Sequence, residues 1–183
     1  MASGLQWYES YTDAASDVIK MVLSPDNAAY AIAKPLEVTP GTRFQYSTGD
    51  TMVLAKIIGD AAGVSGDAYA QYLRDRLLDP LGIDPAVPGI DAAGTWLGGY
   101  KTDTTTRNFA KLGLLYLRDG VWEDRQFLSQ DWVDFVRTPG PSPGYGGQFW
   151  LNGDGSFSMI GLYGQSVQIV LKLPSPLSQN WPP

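Results

Sequence analysis

The sequence predicts an α+β fold. Three observations carry this: helical periodicity recurs between residues 16 and 137, the pattern turns strand-like after about residue 145, and 183 residues suffice for one well-cored domain but not comfortably for two. We expect one domain over residues 1–173, helical over about 16–137 and sheet-forming over about 145–171, then an irregular proline-rich tail at 174–183.

Each element has its own signal. Residues 1–15 set Trp7, Tyr8 and Tyr11 among small polar residues, a loop with aromatic anchors. Ser16 reads as the N-cap of a short helix carrying Val18, Ile19, Val22 and Leu23, which Ser24-Pro25 ends. Residues 27–40 are alanine-rich but interrupted by Pro35 and Pro40, and read as a connector. A largely apolar helix over 51–62, closed by Gly63, should be well buried. Another, over 67–78, spaces Tyr69, Leu73 and Leu77 by four and stops at Pro80. Residues 84–99 form a long proline- and glycine-rich connector, of a kind often used for function. A helix follows the hydroxyl run 102–106, with Phe109, Leu112, Leu115 and Tyr116 on one stripe and Gly120 beyond its end. Ser129 caps a helix bearing Trp132, Val133 and Val136. Residues 148–151 and 156–160 flank an Asn-Gly-Asp-Gly turn as a hairpin, and 165–170 alternate as a further strand.

Composition excludes several kinds of chemistry. Charged residues make up 17% and apolar residues 44%, a globular and rather aromatic-rich balance. The net charge of −6, with no cluster of Lys and Arg, argues against a nucleic-acid partner. Without cysteine there is no disulfide, thiolate nucleophile or thiolate metal site, and without histidine the Ser-His-Asp and Cys-His arrangements are closed. Acid–base work near neutrality would fall to a tyrosine, lysine or carboxylate. No cofactor or metal is called for. The start Met1-Ala2-Ser3 lacks the regions of a signal peptide, and no apolar run reaches membrane-spanning length, so we expect no membrane partner. Localisation and oligomeric state are left open.

The stretch Phe44-Gln45-Tyr46-Ser47-Thr48-Gly49-Asp50 sets a tyrosine and two hydroxyls between a Pro40-Gly41 turn and a helix start. Tyr46 there can be catalytic, or a packed aromatic beside a capping residue.

Four landmarks in order and spacing resemble the penicillin-recognising serine hydrolases: class C-like β-lactamases, D-alanyl-D-alanine peptidases, related esterases and 6-aminohexanoate-dimer hydrolases. They are Pro40–Ser47, Pro80–Ile83, Ala110–Gly120 and Gly161–Gln165. The resemblance implies a β-lactamase/transpeptidase-like fold, an antiparallel sheet with flanking helices, incomplete here at both ends. It implies acyl transfer on a small-molecule amide, ester or β-lactam, in which a serine of an S-x-x-K motif attacks and lysine and tyrosine share the proton transfers. Tyr46 then takes the tyrosine position, where a neighbouring ammonium would favour its phenolate. Thr48 stands where the family often has Asn, its hydroxyl still able to donate one bond to a substrate carbonyl. Gly161, Tyr163, Gly164 and Gln165 fall at the family's third motif, on the strand edge that helps form the oxyanion hole; Leu162 and Tyr163 stand where relatives often carry a histidine. Gly161 and Gly164 also fit a plain hairpin turn.

No serine is followed three residues on by a lysine; Ser16 reaches Lys20, one residue too far. The resemblance therefore implies that the chain starts after its nucleophile and is inactive alone. Past Val170 it stops matching relatives, as a frame change or truncation would produce. The alternative is a non-catalytic binding module that keeps the Tyr46 pocket.

Overall fold

The computed structural model describes residues 1–171, so the proline-rich tail expected at 174–183 lies outside the described residues. The chain groups into two compact units, Met1–Lys111 with Gly140–Ser142, and Leu112–Pro139 with the chain from Pro143 on. Each has its own apolar core.

The first unit is mostly helical. Helix α1 spans Asp17–Val22, with Ser16 Oγ accepting from the Ile19 amide as its cap. Helix α2 spans Asn27–Ile32, where the sequence suggested a connector. The prolines at 35 and 40 lie beyond its end, and Asp26 caps it by accepting from the Ala29 amide at 2.8 Å, so nothing interrupts six helix-compatible residues. Helix α3 spans Thr48–Ala62, begins three residues earlier than the apolar pattern suggested, and ends on Gly63 in the left-handed region at φ 68°.

Trp7, Val18, Met21, Ala31 and Met52 form this unit's core. The expectation that α3 is well buried holds for one side only. Met52, Ala55 and Gly59 are buried, whereas Leu54, Ile57 and Ile58 are 44%, 56% and 41% exposed on one stripe. Helix α4, Asp67–Leu73, runs on through a wider π turn at Arg74–Leu78 before Pro80. Tyr69 is buried with its hydroxyl donating to the Ala55 carbonyl at 2.6 Å, and burial pushes its phenol up to about 12. The connector at 84–99 contributes strand β1, Ala86–Pro88, which pairs antiparallel with β2, Thr102–Thr104. The hydroxyl run thus makes a strand before helix α5, Thr106–Leu117.

The boundary between the units falls inside α5. In the second unit, β3 (Val121–Trp122) and β4 (Arg125–Gln126) form a tight hairpin through Glu123 and Asp124, both at positive φ. Helix α6, Gln130–Arg137, is capped by Ser129 as expected. It buries Val133 and Val136 but leaves Trp132 largely exposed.

Strands β5 (Trp150–Leu151), β6 (Phe157–Ile160) and β7 (Ser166–Ile169) form an antiparallel sheet in sequence order. Ile160 pairs with Ser166, and Phe157 with Ile169. Val136, Phe149, Phe157 and Ile169 make the core beneath it. No helix is long and apolar enough to cross a membrane among the described residues.

Candidate active site

The start of α3 is where polar side chains converge. Ser47 is the N-cap, its hydroxyl accepting from the Asp50 amide at 3.0 Å, which satisfies one of the donors that a helix start leaves open. Gly49 follows because the Trp7 ring lies on this first turn. A Cβ built at Gly49 would meet that ring at 2.7 Å. Gln45 Nε2 donates to the Trp7 carbonyl, a second tie between segments 7–11 and 45–49.

A third tie is the Glu9 carboxylate, which the sequence reading passed over. Its Oε2 accepts from the Thr48 amide at 3.1 Å and from Trp7 Nε1. Its Oε1 accepts from Tyr11 Oη at 2.7 Å and from Thr48 Oγ1. A carboxylate at a helix N-terminus interacts favourably with the helix dipole and the open amides there. In the sequence, a lone acid among Trp7, Tyr8 and Tyr11 was the available signal.

Thr48 is buried, and its one hydroxyl proton goes to Glu9. While that bond holds, Thr48 meets a ligand only as an acceptor. Tyr46 is part-buried just before the cap. Burial and, behind it, the Glu9 charge push its phenol above the ordinary tyrosine value. Tyr11 is pushed up too, by burial and by its hydrogen bond to Glu9. The charge acting on Tyr46 here is an anion, the opposite of the ammonium that would favour a phenolate.

A cleft of about 390 Å³ opens beside this cluster, with Trp7, Asp17, Arg43 and Gln45 on its wall and neither Tyr46 nor Thr48 among its lining residues. Its charged groups are already paired, Arg43 with Glu37 and Asp17 with Lys34.

The other predicted residues belong to the second unit, at the turn between β6 and β7. Gly161 N–H donates to the Gln165 carbonyl at 2.7 Å, Gly164 N–H to the Gly161 carbonyl at 3.2 Å, and Tyr163 N–H to Gln165 Oε1 at 3.0 Å. Gly164 sits at φ 86°, where a side chain would be strained. The Tyr163 side chain is 87% exposed. The structure thus brings Tyr46 and Thr48 together in one cluster and Gly161, Tyr163, Gly164 and Gln165 in another.

The helices, the antiparallel sheet and the tyrosine-bearing helix start define the class. The Beta-lactamase family matches residues 1–174, and the chain belongs to it. Among individual proteins, it is 27% identical to the 6-aminohexanoate-dimer hydrolase of Paenarthrobacter ureafaciens, with 99% of this chain and 55% of that protein covered. A Bacillus anthracis protein assigned as a 6-aminohexanoate-dimer hydrolase superposes with a TM-score of 0.62 at 25% identity, covering 76% of this chain and 38% of that one. A Bacteroides dorei protein assigned as a β-lactamase gives a TM-score of 0.66 at 18% identity, covering 93% and 58%, a likeness of fold. The chain spans about half the length of the curated relative it matches. The fold is thus β-lactamase/transpeptidase-like.

Proposed function

We propose that these residues form the tyrosine-bearing part of a serine hydrolase that cleaves a small-molecule amide, ester or β-lactam by acyl transfer, and that the chain by itself turns over no substrate. The observation that carries the reading is the setting of Tyr46: part-buried, next to a capped helix start, in a chain of the Beta-lactamase family. No serine here is followed three residues on by a lysine, so the S-x-x-K pair would come from other residues.

In the proposed reaction that serine oxygen attacks the acyl carbon and its proton passes to the Tyr46 phenolate. The phenol then returns the proton to the departing nitrogen or oxygen. Burial and, behind it, the Glu9 charge raise the Tyr46 phenol, so the lysine ammonium has to outweigh both before Tyr46 can accept a proton. Gly161, Tyr163, Gly164 and Gln165 remain, by the resemblance, candidate substrate-contacting residues of the second unit, where the Leu162 and Tyr163 side chains are exposed. Thr48 would serve as an acceptor. The name of the curated relative makes the 6-aminohexanoate dimer the first substrate to try.

The missing S-x-x-K pattern also favours a second reading, a non-catalytic module that binds a small acyl ligand or peptide at Tyr46. One experiment separates the two. In a protein that joins these residues to an S-x-x-K segment, Tyr46→Phe should lower kcat by roughly 10²- to 10⁴-fold with little change in melting temperature. An unchanged kcat would remove Tyr46 from the proton transfers.

A further inference from the structure

Four donors converge on one part-buried carboxylate from two segments far apart in sequence. Trp7 and Tyr11 bring side-chain protons from the loop, and Thr48 brings both its amide and its hydroxyl from the first turn of α3. Each carboxylate oxygen takes two of them. A loop that only needed anchoring already has the Gln45 bond to the Trp7 carbonyl, the Trp7 ring on Gly49, the Asp17 bond to the Tyr8 amide at 2.9 Å and the Ser16 bond to the Ser10 carbonyl at 2.6 Å. Glu9 adds a charge to this frame and commits the protons of two side chains, Thr48 and Tyr11, that would otherwise be free to meet a ligand.

We propose that Glu9 is a positioning residue of the Tyr46 site: its carboxylate pins segment 7–11 to the start of α3, fixes where Thr48 and Tyr11 stand, and sets a negative charge facing Tyr46. This deepens the proposed function and rests on it. The consequence for a reaction is specific. With Thr48 and Tyr11 both donating to Glu9, the placement of these hydroxyls and the charge acting on Tyr46 are set by one carboxylate, and Glu9 sets how readily the Tyr46 phenol gives up its proton.

The test uses the 183-residue chain labelled with ¹³C at the tyrosine ring carbon bearing the hydroxyl. The Tyr46 signal is identified by its loss in Tyr46→Phe. Glu9 and Tyr11 act on the charge state of this site, and the Met1 ammonium paired with Asp50 lies at the same helix start, so the Tyr11 and Tyr46 signals are both followed on raising the pH. Glu9→Gln keeps the size and removes the charge. The Tyr46 phenol should then lose its proton more readily, its acid dissociation constant rising about threefold or more. A folded Glu9→Gln protein whose Tyr46 titration matches wild type would overturn the proposal and leave Glu9 a purely structural tie.

Should Glu9→Gln fail to fold, Thr48→Val carries the test, because it removes one donor and nearly keeps the volume. Tyr11 and Tyr46 signals should both move; two unmoved signals contradict the proposal. These readings need no substrate, so they fail independently of the kcat test on Tyr46.

Discussion

The start of α3 and the turn between β6 and β7 each carry one group of the predicted residues, one in each unit, and they are built differently. At α3 the polar groups are held by side chains from distant segments: Glu9 on Thr48, Gln45 on the Trp7 carbonyl, and the Trp7 ring on Gly49. At the turn the bonds among the described residues stay within 161–165, and the Tyr163 side chain is 87% exposed. Long-range ties fix a group relative to the core, whereas local ones fix only the shape of the turn. The first region is therefore preorganised, and the second is shaped but lightly anchored.

If that contrast is right, substitutions at the α3 start should cost stability and those at the turn should not. The largest effect is expected for Trp7→Ala, which empties a core position and removes the ring packed on Gly49; about 3–5 kcal/mol should be lost by urea unfolding. A loss below about 1 kcal/mol would mean that segment 7–11 is not part of the core. Gly49→Ala pushes a methyl into the same ring and should cost about 1–3 kcal/mol. Ser47→Ala removes the cap bond to the Asp50 amide and should lower stability by about 1 kcal/mol, read as a fall in melting temperature. Smallest is Tyr163→Ala at the turn, within about 0.5 kcal/mol of wild type. In a protein that does turn over substrate, the same change should alter KM rather than stability.

Much of this was legible in the sequence wherever the cause is local. Ser16, Ser129 and Gly63 each bound a helix through contacts with residues a few positions away, and all three act as expected. The turn between residues 161 and 165 is local too. Helix α2 was not legible because the segment's prolines, Pro35 and Pro40, suggest an interrupted connector, although both lie past the helix end and its cap, Asp26, is the deciding residue. The β1–β2 pair joins two three-residue strands across a long connector, and nothing in three residues sets that register. The β3–β4 hairpin turns on Glu123 and Asp124 at positive φ, without the glycine that normally announces such a turn.

The placement of Tyr46 and Thr48 between a turn and a helix start was legible in the sequence. Glu9 was not. Its partner Thr48 lies 39 residues away, so its role exists only once the chain has folded. Burial, and behind it the Glu9 charge, raise the Tyr46 phenol above the ordinary tyrosine value.

The central claim is that these residues supply the tyrosine of an acyl-transfer site and not its nucleophile. The direct measurement is the intact mass of the 183-residue chain after incubation with a fluorophosphonate, with p-nitrophenyl ester turnover followed alongside. We predict an unmodified mass and no turnover above buffer. A stoichiometric adduct on any serine of this chain would contradict the account.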